Sequence, residues 1–159
     1  MDPVLDPDRP HTTYLIGRLD RIIRRALEER LRSHGVTLLG YTAMTVLAVR
    51  PGLSNAQLAR RSFMTPQGMN QAVAVLAEGG FIQRSPDDAN RRRQRIELTD
   101  LGHRVVGECS AAVAEYEQQL LGALSPDARD ELNGLLRAVV EANRLHSGTV
   151  GTTAADSTS

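Results

Sequence analysis

The chain has 159 residues, of which 41% are hydrophobic, and a formal net charge of zero. A chain of this length buries one modest core, which excludes two large domains. Its longest apolar runs are too short to span a membrane, its acidic start differs from a signal peptide, and its single cysteine excludes an intramolecular disulfide. We therefore expect a small cytoplasmic protein without a membrane partner.

The first segments of the chain predict a polar arm followed by two helices. Residues 1–10 contain several acids and prolines, and we expect them to form a flexible arm. Apolar residues then recur at helical spacing from Tyr14 to Leu31, which predicts an amphipathic helix. A second stretch, from Leu39 to Val49, predicts another helix that ends before Pro51.

Two short helices separated by a tight turn come next. Ser54 is a favourable N-cap, and Gln57 follows at the spacing of a capping box, so we expect a helix to begin here. Thr65 is placed to cap the following helix, and Pro66 takes its first position, where the missing N–H costs nothing. This order is that of a helix-turn-helix, in which the second helix enters the major groove of DNA.

The second of these helices has one apolar face and one polar face. Spacings of three and four place its large apolar residues on the side that we expect to pack inward: Met69, Ala72, Val73 and Leu76. The opposite side carries mostly polar residues: Gln67, Gln71, Ala74 and Glu78, with Asn70 at its edge. Gln and Asn pair bidentately with adenine, so this face predicts DNA recognition. The alternative is a plain solvated face, which would more often be rich in Glu, Lys or Arg.

A hairpin with a basic tip is predicted after this helix. Gly79-Gly80 ends the helix, and Phe81–Ser85 and Gln94–Leu98 have the composition of two strands. The loop between them contains three adjacent arginines, Arg91 to Arg93, which repel one another unless they meet anions. Phosphates or a narrow minor groove supply such anions, so we predict a DNA-binding wing. The alternative is a loop that only adds solubility.

Two further helices follow the hairpin. Thr99 is placed to cap a long helix that reaches Leu124, and Pro126 begins a last helix that reaches Leu145. Their long apolar stripes, and that of the first helix, would be exposed in a monomer, whereas a two-fold dimer would bury them. The alternative is that all the stripes pack within one monomer. Residues 147–159 lack large apolar groups apart from Val150, and we expect them to be disordered.

The neutral total charge conceals two segments of opposite sign. Residues 54–99 contain seven arginines and four acids, whereas residues 100–145 contain four arginines and eight acids. The positive segment is the one that has the predicted DNA-binding geometry. The four histidines are scattered, without metal-ligand spacing or a nucleophile beside them, so we predict no metal site, no cofactor and no enzyme activity.

These motifs resemble the MarR family of bacterial winged-helix regulators. The resemblance runs from about Leu15 to Leu145, and its most specific parts are G-F-I-x-R from Gly80, the D-x-N-R-R-R of the wing, and L-T-x-x-G at residues 98–102. It implies a homodimer that binds a pseudo-palindromic operator in double-stranded DNA, usually as a repressor, and that a small ligand often releases. Two departures, at Asn90 and Gln71, leave open a winged interaction module that has lost DNA binding.

We therefore expect a mainly α fold with a small β wing. The winged helix-turn-helix domain is predicted to span residues 37–99, and the helical dimerisation region residues 11–36 and 100–146. The candidate DNA-binding residues are Ser54, Gln57, Arg60, Thr65, Gln67, Gly68, Asn70, Gln71, Arg84, Arg91, Arg92 and Arg93.

A ligand site is predicted where the dimerisation helices meet the winged domain. Arg18 can pair with a carboxylate, and Tyr14, Tyr41 and Met44 can line an apolar slot for a small aromatic or anionic molecule. The alternative is that these four residues only pack the junction between helices. A redox-sensing role for Cys109 is a further alternative, but its apolar neighbours favour a packing role.

Overall fold

The computed structural model describes residues 10–86 and 94–147, and the side chains of the last helix as far as residue 143. These residues form helices and one antiparallel hairpin in the predicted order, which confirms the mainly α fold with a small β wing. The elements are α1 (Thr12–Arg32), α2 (Leu38–Val49), α3 (Asn55–Arg61), α4 (Pro66–Glu78), β1 (Ile82–Pro86), β2 (Gln94–Leu98), α5 (Asp100–Leu120) and α6 (Pro126–Ser147).

The ends of the last two helices differ from the sequence-based expectation. Helix α5 ends at Leu120 instead of Leu124, because the chain turns there: Gly122 N–H donates to the Gln119 carbonyl, and Leu124 N–H donates to the Leu121 carbonyl. Helix α6 includes Ser147, which the sequence placed in a disordered tail. The remaining tail, residues 148–159, and the arm before residue 10 lie outside the described residues.

The described chain divides into two compact units between Tyr116 and Glu117. In the first unit, apolar residues of α2, α3, α4 and the hairpin form one core, which is the core expected of a winged helix-turn-helix. Leu31 from the end of α1 and Cys109 from α5 are fully buried in the same core. Helices α1 and α5, both predicted for dimerisation, therefore also complete the core of the winged unit.

The start of α5 is tied to the turn that ends α4. The Thr99 hydroxyl donates to the Gly80 carbonyl (2.7 Å) and accepts from Gly102 N–H (3.0 Å), while Thr99 N–H donates to the Phe81 carbonyl (3.0 Å). Gly80 has a φ of +72°, the left-handed conformation that closes α4. The L-T-x-x-G segment thus holds the hairpin and α5 in a set position.

Candidate nucleic-acid interface

The capping box predicted for α3 is present. Ser54 N–H donates to Gln57 Oε1 (2.9 Å), and Gln57 N–H donates to Ser54 Oγ (3.3 Å). Both residues are half-buried and use these atoms to begin the helix. Of the candidate DNA-binding residues, these two therefore have an evident structural role, while Arg60 at the end of α3 is exposed.

The turn between α3 and α4 leads into a second capped helix. Thr65 Oγ1 accepts from Gly68 N–H (3.1 Å), and Pro66 is the first residue of α4. A Cβ atom at Gly68 would lie 3.2 Å from the Thr65 hydroxyl oxygen, so the glycine leaves room for the cap. Phe63, within the turn, has a φ of 54°, a conformation that residues other than glycine seldom adopt.

Helix α4 is divided as its sequence predicts. The four residues predicted to pack inward are buried in the core: Met69, Ala72, Val73 and Leu76. Gln67, Asn70 and Gln71 are exposed on the other side. The structure adds one contact that the sequence did not reveal, because Asn55 Nδ2 donates to Asn70 Oδ1 over 2.6 Å. No local spacing signals this pair, since its members are on different helices.

The hairpin lies beside the beginning of α3. Ile96 N–H donates to the Leu53 carbonyl (2.9 Å) and Gly52 N–H donates to the Ile96 carbonyl (3.0 Å), so the residues before Ser54 pair with β2. Gly52 has a φ of +76°, and a Cβ there would overlap the guanidinium of Arg95. These contacts place the cap of α3 at the base of the wing.

A cavity of about 300 Å³ opens between α3, α4 and the hairpin. It is lined by Ser54, Asn55, Ala56, Asn70, Val73, Arg84, Gln94 and Ile96. Arg84 lies opposite Ile96 in the hairpin, and its exposed side chain brings a positive charge to the edge of the outer face of α4. Arg91, Arg92 and Arg93, predicted at the wing tip, lie outside the described residues.

The predicted ligand residues differ in their exposure. Met44 is completely buried in the core, which favours the alternative that it packs the junction between helices, and its contact with a ligand stays a prediction. Tyr41 is half-buried, and its hydroxyl lies 3.2 Å from Ser110 Oγ, which itself donates to the Val106 carbonyl. The helical periodicity of α2 showed that Met44 has an apolar environment, but only the packing of α2 shows that the core covers it completely.

The other two ligand candidates lie on the exposed first turns of α1. The guanidinium carbon of Arg18 is 5.9 Å from the ring centre of Tyr14, at the outer limit of a cation–π contact. Tyr14 is 54% exposed. A carboxylate can therefore reach Arg18, with the Tyr14 ring as an apolar neighbour.

Cys109 is chemically protected within the core. Its side chain is fully buried, and burial raises the pKa of the thiol, with the negative charge of Glu108 adding to the same effect. A raised pKa disfavours the thiolate, which is the reactive form. The structure thus gives Cys109 the environment of a packing residue.

Known proteins of similar sequence and structure identify the fold. A model of the MarR family matches residues 34–93. The HTH-type transcriptional repressor Rv2887 of Mycobacterium tuberculosis is 28% identical over 123 residues, which cover 77% of this chain and 88% of that protein. The crystal structure of that mycobacterial protein in complex with DNA superposes with a TM-score of 0.70 at 26% identity, covering 82% of this chain and 98% of the other.

A second crystal structure of the mycobacterial protein contains salicylic acid. It superposes with a TM-score of 0.67 at 27% identity and covers 83% of this chain and 98% of the other. Within residues 10–86 and 94–147, none of the helices is long and apolar enough to cross a membrane. The order of the helices and hairpin, the buried and exposed faces of α4 and these similarities lead to one conclusion: over residues 34–93 the chain matches the MarR family of winged helix-turn-helix transcriptional regulators, which are DNA-binding proteins and not enzymes.

Proposed function

We propose that this protein is a cytoplasmic, homodimeric repressor that binds a pseudo-palindromic operator and leaves it when a small ligand binds. The observation that carries the proposal is the outer face of α4, where exposed amide side chains cover a helix whose other face is buried. Arg84 at the edge of this face supplies positive charge for the neighbouring phosphates. A dimer presents two such faces to two half-sites.

The candidate DNA-binding residues fall into three groups in this proposal. Gln67, Asn70 and Gln71 contact base edges. The arginines of α3, β1 and the wing contact phosphates or the minor groove: Arg60, Arg84, Arg91, Arg92 and Arg93. The remaining four hold the ends of α3 and α4 against the DNA backbone: Ser54, Gln57, Thr65 and Gly68.

Arg84→Ala should weaken binding to specific and unrelated duplexes alike, because a phosphate contact carries no sequence information. The slope of the logarithm of the binding constant against the logarithm of the salt concentration should fall by about one per protomer. We expect the same change for Arg92→Ala. Gln67→Ala should instead leave the slope unchanged and lose roughly tenfold to a hundredfold in preference for the operator. Fluorescence anisotropy at several salt concentrations, with the DNA upstream of the protein's own gene, measures both quantities.

Arg104→Ala is the matched control, because this exposed arginine lies on α5, which contributes none of the proposed DNA-binding residues. It should retain wild-type affinity and salt slope. If Arg84→Ala and Arg92→Ala also retained both, the hairpin would not contact DNA. Wild-type protein that bound no duplex at all would favour the alternative of a winged interaction module.

The proposed ligand is a small aromatic carboxylate, and Arg18 and Tyr14 are the residues that support it. Both lie on the exposed part of α1, where a guanidinium can pair with the carboxylate and a ring can cover its apolar part. Tyr41 remains a third candidate through its half-buried ring. For such a ligand to act, it must bind the DNA-free state of the dimer more tightly than the DNA-bound state.

Salicylate should lower the affinity of the protein for its operator. In Arg18→Ala, the salicylate concentration required for this effect should rise by roughly tenfold to a hundredfold, which corresponds to the loss of one charge-assisted hydrogen bond. An operator-binding titration with salicylate and a panel of phenols and carboxylates measures the effect. Arg25→Ala, an exposed arginine two turns further along α1, should respond as wild type does. An unaltered response in Arg18→Ala would remove Arg18 from the site, and no response to any compound would contradict ligand control.

A further inference from the structure

A side-chain hydrogen bond joins α3 to the outer face of α4. Asn55, the first residue of α3, donates from Nδ2 to Asn70 Oδ1 over 2.6 Å. Asn55 is half-buried, whereas Asn70 is exposed among the amides proposed to contact bases. The acceptor atom of Asn70 is therefore engaged by the protein itself.

The direction of this bond follows from the surroundings of Asn55. Its Oδ1 atom is buried and has no hydrogen-bond partner among the described residues. If Asn55 Oδ1 accepted from Asn70 instead, the amide nitrogen of Asn55, with two N–H groups, would take that buried position. Proteins tolerate an unpaired carbonyl oxygen better than unpaired N–H groups, so the observed orientation is the favoured one.

This orientation limits what Asn70 can offer to DNA. Bidentate pairing with adenine needs the side-chain oxygen as acceptor and the nitrogen as donor, both directed outward. Because Asn70 Oδ1 accepts from Asn55 and is therefore turned toward α3, we expect its NH₂ group to be the part of the amide that meets a bound duplex. A donor alone matches acceptors on the base edge, and guanine presents two adjacent ones, N7 and O6.

We propose that Asn55 is a positioning residue that restricts Asn70 to the role of a donor, so that Asn70 recognises guanine and not adenine. This proposal rests on the proposed function, since it requires α4 in the major groove. It also corrects the expectation, drawn from residue type alone, that every amide on this face suits adenine. Gln67 and Gln71 retain that expectation.

The base pair that Asn70 contacts is found by comparing the sequence preferences of wild type and Asn70→Ala on a library of randomised duplexes. The wild type should prefer guanine at one position of each half-site, and Asn70→Ala should lose roughly tenfold to a hundredfold of that preference. Replacing this guanine with 7-deazaguanine, which lacks the N7 acceptor, should weaken binding by the wild type and have little effect on Asn70→Ala.

Asn55→Asp tests the positioning role, because a carboxylate accepts hydrogen bonds and cannot donate them. The Asn70 amide should then rotate, donate to the new carboxylate and direct its oxygen outward. The preference at the same base pair should change to bases with an exocyclic donor, adenine or cytosine. Asn55→Ala frees the Asn70 amide to present both its oxygen and its NH₂ group to the base. In this variant the preference at the same base pair should change toward adenine.

Gln71→Ala is the matched control, because Gln71 lies on the same face but is a different amide from the one held by Asn55. This variant should change the base preference at a different base pair and leave the preference for guanine at the Asn70 position intact. A preference is a ratio measured on one preparation, so a partly unfolded variant does not distort it. Two results would overturn this inference while leaving DNA binding in place. One is a wild-type preference for adenine at the base pair that Asn70 contacts, and the other is an unchanged preference for guanine in Asn55→Asp. Wild-type protein that binds no DNA would overturn the proposed function as well.

Discussion

Gly102→Ala should lower the Tm of the protein by roughly 10 °C, the effect of about 3 kcal/mol of overpacking in a protein of this size. Gly102 lies in the first turn of α5 and is buried, and a Cβ atom there would overlap the carbonyl oxygen of Phe81. The obstacle is backbone and not the end of a flexible side chain. Relief therefore requires a shift of either α5 or the chain before β1.

Neither side of this contact can move without breaking hydrogen bonds. The Phe81 carbonyl accepts from Thr99 N–H, and the Thr99 hydroxyl bridges the Gly80 carbonyl and Gly102 N–H. A shift that accommodates a methyl group at residue 102 would lengthen this set of bonds and weaken the cap of α5. Thermal unfolding followed by circular dichroism measures the change in Tm.

Gly107→Ala is the matched control, because it makes the same substitution in the same helix. Residue 107 is exposed, and a Cβ there meets nothing within 4 Å. Alanine is favoured over glycine in a helix by about 0.5–1 kcal/mol, so this variant should be as stable as the wild type or slightly more stable. A Gly102→Ala variant that unfolded at the wild-type temperature would show that the turn and α5 are not tightly joined.

Val139→Asp should convert the proposed dimer to monomers and weaken operator binding by at least a hundredfold, since two linked half-site contacts become independent ones. Four large apolar side chains on one face of α6 are 43–60% exposed in the single chain: Leu135, Leu136, Val139 and Val140. In the first unit, the start of α1 exposes Tyr14, Leu15 and Ile16 to a similar extent. A dimer interface buries such faces, and an unpaired carboxylate within it costs several kcal/mol.

Light scattering at micromolar concentration should give half the wild-type mass for Val139→Asp. Arg137→Asp introduces the same carboxylate on the opposite side of α6 and removes only an exposed hydrogen bond to Asn133, so it should remain a dimer. Wild-type protein that is a folded monomer at this concentration would refute the dimer. A dimeric Val139→Asp with wild-type operator affinity would place the interface elsewhere.

The ends of the helices around the proposed interface could be predicted from the sequence because they depend on residues three positions apart. Ser54 with Gln57, Thr65 before Pro66, and Thr99 each form the expected cap. The inner face of α4 was predictable for a related reason, since helical spacing places its apolar residues together wherever the helix packs. Such features belong to a local segment and need no knowledge of its neighbours.

Features that depend on a distant neighbour were not predictable in this way. The spacing of α2 showed that Met44 is apolar-facing, but it did not show that the core covers this residue completely. The turn that ends α5 at Leu120 was missed for a different reason: its hydrogen bonds are local, but the apolar pattern continues past it.

The sequence by itself therefore determined the order of the elements, the caps of α3, α4 and α5, the two faces of α4 and, through the motifs, the resemblance to the MarR family. Only the tertiary structure decided that Asn55 engages Asn70 and that a carbonyl oxygen occupies the space beside Gly102. The physical reason is one of range. Helical periodicity and capping act between residues a few positions apart, whereas the direction of an amide or the room for a methyl group depends on atoms that folding brings together from separate segments.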